Sequence, residues 1–243
     1  MRVVAIIQAR MGSTRLPGKV LKDLGGETVL SRVVKRTSRA ELVDEVVVAT
    51  TVQSANEAIA NECERLSVAC FRGDEADVLD RYYQAARKIS AGAIVRITSD
   101  CPLIDPELID ATIRAFVDQK ADYATNALVV TFPRGLDVEV FTVEALARAW
   151  AAAHEAYQRT HVTPYIYENG DLFKIVSLSA ERDYSKYRWT LDTVEDLEAI
   201  REVYKHFADD DRMAWREVLL LMETHPELAK LNSHVRQKTL REG

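Results

Sequence analysis

The feature that most constrains this chain is a repeated alternation of two patterns. Short β-branched and aliphatic runs at residues 3–7, 45–50, 68–71 and 93–97 each give way to a stretch with apolar residues at helical spacing, at 28–39, 54–66, 76–89 and 105–119. Parallel strands need a crossover between them, and strands covered by helices on both faces read as unbroken apolar runs. The expected class is therefore α/β, a Rossmann-like mixed sheet, mostly parallel and flanked by helices. With 243 residues, 47% of them apolar, the chain suits one domain over 1–243.

Local signals set the boundaries. Ser54 followed by Glu57 has the spacing of a capping box, and Asp105-Pro106 places an N-cap residue before a first-turn proline. Beyond 122–126 the pattern loosens. Residues 137–141 alternate polar and apolar as a half-exposed strand does, 173–178 form a similar run, and 127–186 as a whole read as an insertion or flap, a small inserted subdomain. A last buried strand is predicted at 187–191. It runs into Asp192-Thr193, where Thr193 caps a helix continuing to about 207, and Trp215, Leu219, Leu220 and Met222 read as packing residues of C-terminal helices.

Charge and cysteine content narrow the function classes. There are 32 basic and 38 acidic residues, a net charge of −6, which argues against a general nucleic-acid binder and leaves any cation cluster to be explained locally. No apolar run approaches the roughly 20 residues of a membrane span, and Met1-Arg2 leads into a strand without a leader pattern, so the expectation is a cytoplasmic protein without a membrane partner. Cys63, Cys70 and Cys101 are odd in number and lack metal spacing, so reduced, packed thiols are expected.

The first strand delivers the chain into Gln8-Ala-Arg-Met-Gly-Ser-Thr-Arg-Leu-Pro-Gly-Lys19. Three cations, Arg10, Arg15 and Lys19, stand around Gly12, Gly18 and two hydroxyls, a composition suited to several phosphates in a bent backbone. It is no Walker loop: five residues separate the glycines and Val20 stands where Ser or Thr is required. In open parallel sheets ligands bind beyond the carboxyl ends of the strands, where this loop, Asp100 and Asp192 all fall. Two carboxylates converging on a triphosphate loop is the arrangement expected for Mg²⁺. Taken singly, the loop could be an ordinary turn, Asp100 a cap and Asp192 a strand-end turn residue. Asp209-Asp210-Asp211 follows a helix end and reads as a solvated loop, Cys101 lacks a nearby base, and His161 reads as a polar residue of the flap.

The segment from Gln8 to Lys19 resembles the opening signature of the sugar-acid cytidylyltransferases, particularly the branch of spore coat polysaccharide biosynthesis protein F, related to the synthetases of CMP-activated 3-deoxy-manno-octulosonate and sialic acids. The similarity continues through Arg72-Gly-Asp-Glu-Ala-Asp-Val-Leu-Asp-Arg81, Arg96-Ile-Thr-Ser-Asp-Cys-Pro-Leu-Ile104, Gly135-Leu-Asp-Val-Glu-Val140, His161-Val-Thr-Pro164 and Trp189-Thr-Leu-Asp-Thr193, so it spans about residues 2–200. The resemblance implies a nucleotide-diphospho-sugar transferase fold and attack of a sugar or sugar-acid oxygen on the α-phosphate of CTP, releasing pyrophosphate, for surface-polysaccharide or glycolipid precursors. It implies that Arg10, Ser13, Arg15 and Lys19 hold the triphosphate, with backbone from Gln8 and Ala9 to Gly12 near the base. Asp100 and Asp192 match the Mg²⁺ positions, so that Arg10, Arg15, Lys19 and Asp100 form the catalytic set. Arg72, Asp77 and Arg81 would border the nucleotide pocket, and Asp137 and Glu139, two apart on one strand, would meet the acceptor or a partner subunit of a homodimer. A glycosyltransferase using a ready-made sugar nucleotide and a non-catalytic nucleotide-binding subunit are the alternatives.

Overall fold

A computed structural model describes residues 1–238 of the chain. The first strand, β1 (Val3–Gln8), ends in the cationic loop, which passes through a single 3₁₀ turn at Lys19–Leu21 and a two-residue hairpin, β2 (Asp23–Leu24) and β3 (Glu27–Thr28), into α1 (Val29–Thr37). The Thr28 hydroxyl caps that helix by accepting from Ser31 N at 2.9 Å. Three further strand–helix pairs follow: β4 (Glu45–Thr51) with α2 (Glu57–Arg65), β5 (Ala69–Gly73) with α3 (Val78–Lys88), and β6 (Ala93–Thr98) with α4 (Pro106–Asp118). Asp105 caps α4 with Pro106 in its first turn, as its sequence dictates. The Ser54–Glu57 capping box does not form. Ser54–Asn56 is a 3₁₀ turn, and α2 starts at Glu57 without a side-chain cap.

The sheet has the order β5-β4-β1-β6 in its parallel half. Along β1 the side chains divide by parity. Val3, Ala5 and Ile7 pack with Val33 and Val34 of α1, Ile59 of α2 and Ile109 and Ile113 of α4. Val4 and Ile6 pack on the other face with Leu79 and Tyr82 of α3.

The second half departs from the sequence reading. Residues 127–186 do not form a separate flap. After β7 (Tyr123–Thr125), the chain makes β8 (Glu139–Thr142), then α5 (Val143–Ala152), α6 (Ala156–His161), α7 (Pro164–Glu168) and β9 (Ile175–Ser177). These strands extend the main sheet as β6-β8-β7-β9, with β8 antiparallel to both neighbours and β9 parallel to β7. Phe141, Leu146, Ala149 and Ile166 from this segment enter the same core as Val4 and Tyr82. The segment looked loose because its strands are three or four residues long, too short to show a period.

The predicted strand at 187–191 is likewise an extended segment with one bridge, between Arg134 and Arg188. Next comes α8 (Val194–His206), capped by Thr193 in a box with Asp196, and the chain continues through α9 (Trp215–Thr224) and α10 (Pro226–Lys230). Trp189, Leu191, Tyr204, Trp215 and Met222 form a third apolar cluster around these elements. Asp209 to Asp211 are not merely solvated. Arg32 donates to the carbonyl of Asp209 and pairs with the Asp211 carboxylate, while Arg36 and Arg39 donate to the Asp211 carbonyl, so α1 anchors that loop.

Candidate active site

Beyond the carboxyl ends of β1 and β6, three segments distant in sequence converge on one ammonium. Lys19 Nζ donates to Asp100 Oδ2, Asp192 Oδ1 and the Leu191 carbonyl, each at 2.8 Å. Gly18, at φ 66°, adopts the left-handed conformation that turns the loop immediately before Lys19. Asp100 sits two residues past β6, and its carbonyl accepts from Leu191 N at 2.8 Å, which ties the two carboxylate-bearing segments together. Arg15 completes the cluster, 2.9 Å from Asp192 Oδ2.

Charge stabilises each partner. Burial opposes the ammonium of Lys19, but Asp100 and Asp192 outweigh it and its pKa is raised. Burial alone would lift the Asp100 carboxyl; the Lys19 ammonium instead holds it down at about 2. The 2.8 Å spacings are those of ammonium–carboxylate hydrogen bonds, and the two carboxylates are of the kind that bind a hard cation. Mg²⁺ takes one or two carboxylates and fills its remaining positions with phosphate oxygens and water. Among the described residues no group of three or more His, Cys, Asp or Glu could hold a metal by itself. An ion held by Asp100 and Asp192 would take its remaining ligands from water or from a bound substrate.

Part of the loop faces outward while Leu16 is buried. Gly12 and Arg10 are exposed, and among the described residues Arg10 forms no ion pair. Ser13 Oγ accepts from Leu16 N at 3.4 Å, and the Met11 carbonyl accepts from Ser13 N and Gly18 N, which folds the loop back on itself. Its base is pinned from the next strand: Met11 N donates to Asn56 Oδ1 at 2.7 Å, and Asn56 Nδ2 donates to Thr51 Oγ1 at 2.6 Å. Asn56 carries no sequence signal, because its task is defined only by where Met11 lies.

The other candidate residues divide. Gln8 and Arg81 each bury a side-chain atom, Oε1 and Nε respectively, that meets no protein partner. Burial lowers the Arg81 pKa, and Arg10, within electrostatic reach, pushes it the same way. Ala9, by contrast, is buried against the sheet and donates its N–H to the Ala49 carbonyl. Arg72 is spent on the end of β4, donating to the Thr51 carbonyl at 3.1 Å and pairing with Glu57 at 2.5 Å. Asp77 caps α3 by accepting from Asp80 N at 2.8 Å, and both its carboxylate oxygens take Arg159 of α6.

Asp137 and Glu139 do not share a strand face. Asp137 precedes β8 and is partly exposed, its carboxyl raised to about 6 by burial against the opposing pull of Arg134. Glu139 turns inward, where Arg96, Tyr123 and Thr163 all donate to it. Thr163 follows Val162, which holds φ 75°, an unusual conformation for a β-branched residue, in the turn closed by Thr163 N donating to the His161 carbonyl at 2.9 Å. Cys101 is buried and its thiol is pushed well above the usual range by that burial and by Asp100, which removes it as a nucleophile.

The sequence reading missed Arg188, whose guanidinium reaches Asp192 Oδ2 at 2.8 Å. A signal existed. An arginine inside a run predicted to be buried requires a buried acid, and Asp192 and Asp196 follow it by one and two helical turns' spacing.

The family model for cytidylyltransferases matches residues 4–221. The chain belongs to the cytidylyltransferase family. An uncharacterised protein of Methanocaldococcus jannaschii is 42% identical over 245 residues, covering 100% of this chain and 99% of that one. A Bacillus subtilis protein named for spore coat polysaccharide biosynthesis, SpsF, is 34% identical over 235 residues, covering 93% and 96%. Among solved structures, a cytidylyltransferase of Leptospira borgpetersenii is 33% identical and superposes with a TM-score of 0.91 over 98% of this chain and 100% of that one. As a cytidylyltransferase the chain is a nucleotidyltransferase with the nucleotide-diphospho-sugar transferase fold.

Proposed function

We propose that this cytidylyltransferase transfers CMP from CTP to a hydroxyl oxygen of a sugar acid or similar anionic acceptor, in a Mg²⁺-dependent reaction that releases pyrophosphate. The observation that carries this reading is the meeting of Asp100 and Asp192 on Lys19 Nζ, at 2.8 Å from each. Carboxylates repel phosphates directly, so two of them beside the phosphate loop support a cation between them and the triphosphate.

In the reaction the acceptor oxygen forms a bond to the α-phosphorus, the bond from that phosphorus to the bridging oxygen breaks with pyrophosphate as the leaving group, and the acceptor proton passes to solvent. Positioning and charge stabilisation suffice, with no covalent enzyme intermediate. Arg15 and Lys19 exchange their carboxylate partners for phosphate oxygens, and Arg10 joins them. Asp100 and Asp192, released by that exchange, are the residues that would hold Mg²⁺. When bound, the ion would offset the charge that develops on the phosphate and the leaving pyrophosphate. Asp137, at the margin of the cluster, would hydrogen-bond the acceptor. The resemblance to the octulosonate and sialate synthetases supports an anionic sugar, and the name of the Bacillus relative supports surface-polysaccharide precursors as the destination. The homodimer implied by the resemblance belongs to the same proposal and is read from the solution mass.

The test is a pyrophosphate-release screen of CTP against sugar acids and phosphonates, with Mg²⁺ or with chelator. Turnover is expected with Mg²⁺ and a sugar acid; full turnover in chelator would overturn the metal assignment, and turnover with none of the anionic acceptors but with a neutral sugar added to the screen would overturn the acceptor class. Asp100→Asn and Asp192→Asn should each lower turnover by at least about a hundredfold while CTP binding partly survives, and wild-type turnover in both would remove these carboxylates from the chemistry.

A further inference from the structure

Asp192 is gripped by three cations that differ in what else holds them. Lys19 and Arg15 come from the phosphate loop, and among the described residues the Arg15 guanidinium has no second acid partner. These are the groups a triphosphate would claim. Arg188 is built into the fold instead. Its Nε lies 2.8 Å from Asp196 Oδ1 and one of its terminal nitrogens 3.0 Å from Asp196 Oδ2, while that same nitrogen reaches Asp192 Oδ2 at 2.8 Å. Asp196 is fully buried and already committed: it accepts from the backbone N–H of Asp192 at 2.9 Å and of Thr193 at 3.1 Å. The C-terminal segment closes the arrangement. Buried Asn232 donates from Nδ2 to the Arg188 carbonyl and to Asp196 Oδ1, both at 2.9 Å, and Gln237 accepts from the far nitrogen of Arg188.

We propose that Arg188 is a positioning residue that keeps the Asp192 carboxylate aimed at the shared cation position once the loop cations move to phosphate, and that Asn232 makes the C-terminal segment part of the active site by locking Arg188 against Asp196. Three acids, Asp100, Asp192 and Asp196, are balanced here by three bases, Arg15, Lys19 and Arg188. Withdrawal of Arg15 and Lys19 leaves Arg188 alone to orient Asp192. Partners that orient a ligating carboxylate typically alter metal affinity by about ten- to a hundredfold when removed.

The inference rests on the proposed role of Asp192 toward Mg²⁺, and the experiment separates the two. CTP affinity of the full chain is measured by titration calorimetry with Mg²⁺ and with chelator, in the wild type and in Arg188→Met, Arg188→Lys, Asn232→Ala and Asp192→Asn, with thermal melts to establish folding. The quantity read is the factor by which Mg²⁺ strengthens CTP binding. That factor should fall by about tenfold in Arg188→Met, fall less in Asn232→Ala and recover in part in Arg188→Lys. A folded Arg188→Met or Asn232→Ala that keeps the wild-type factor while Asp192→Asn loses it would overturn the positioning role. If Asp192→Asn also keeps it, the metal assignment itself fails. Should Arg188→Met not fold, Asn232→Ala, which leaves every ion pair in place, decides.

Discussion

At the scale of the residue, one ammonium makes two carboxylates compatible in the same few ångströms. The consequence for stability follows from sign. The Asp100 carboxyl titrates at about 2 in the folded chain, below its ordinary 3.8, so its stabilising contribution is fully present above about pH 4 and is lost as the pH falls toward 2. The shift corresponds to about 2 kcal/mol. In urea unfolding between pH 5 and 2.5 the wild type should therefore lose about 1 to 2 kcal/mol more than Asp100→Asn, the rest being lost at lower pH; identical losses would show that Lys19 does not hold the acid. The loop cations and both carboxylates were legible as a set because phosphate chemistry restricts the residue types. Arg72, Asp77 and Glu139 carried the same types, but their partners, Glu57, Arg159 and Arg96, lie 15, 82 and 43 residues away, and a charge with a distant partner looks like a free one.

At the scale of the element, the site depends on a segment that is not a regular strand. Residues 187–191 are held by an exchange with Arg134, whose N–H donates to the Tyr187 carbonyl at 3.0 Å and whose carbonyl accepts from Trp189 N at 2.6 Å. Close approach at this point requires Gly135. It sits at φ 105°, and a Cβ there would lie 2.5 Å from the Trp189 carbonyl carbon. Gly135→Ala should cost about 2 to 4 kcal/mol in stability and lower the turnover of whatever enzyme remains folded, since the segment it displaces carries Asp192. A melting temperature within a degree of the wild type would contradict the close approach. The sequence predicted a strand here from its apolar run, and the run is indeed buried, but burial comes from α8 and α9 instead of from sheet partners.

At the scale of the molecule, the two ends of the chain are joined through α1. Arg36 is fully buried and donates to the carbonyls of Ile104 at 2.6 Å, Asp211 at 2.6 Å and Met213 at 3.0 Å, connecting α1 to the loop after β6 and to the segment before α9. Replacement by Met keeps the apolar stem and leaves the Ile104 and Met213 carbonyls without this donor, while that of Asp211 keeps its bond from Arg39, so Arg36→Met should destabilise by about 3 to 5 kcal/mol, read from the urea midpoint. A change under about 1 kcal/mol would mean that water replaces the guanidinium. This connection fixes the register between the sheet and the C-terminal helices, beyond which Asn232 lies.

The sequence by itself determined the parallel half of the sheet, the caps at Asp105 and Thr193, and the loop with its two acids, because each rests on local spacing or on the chemistry of a residue type. Tertiary structure alone decided that residues 127–186 complete the sheet, that Asp77 and Glu139 serve the framework, and that Arg188 and Asn232 stand behind Asp192. The physical reason is common to all three: a short strand is stabilised by its neighbours, and a buried charge by a partner that may be 40 residues or more away, as Asn232 is from Arg188, 44 residues on.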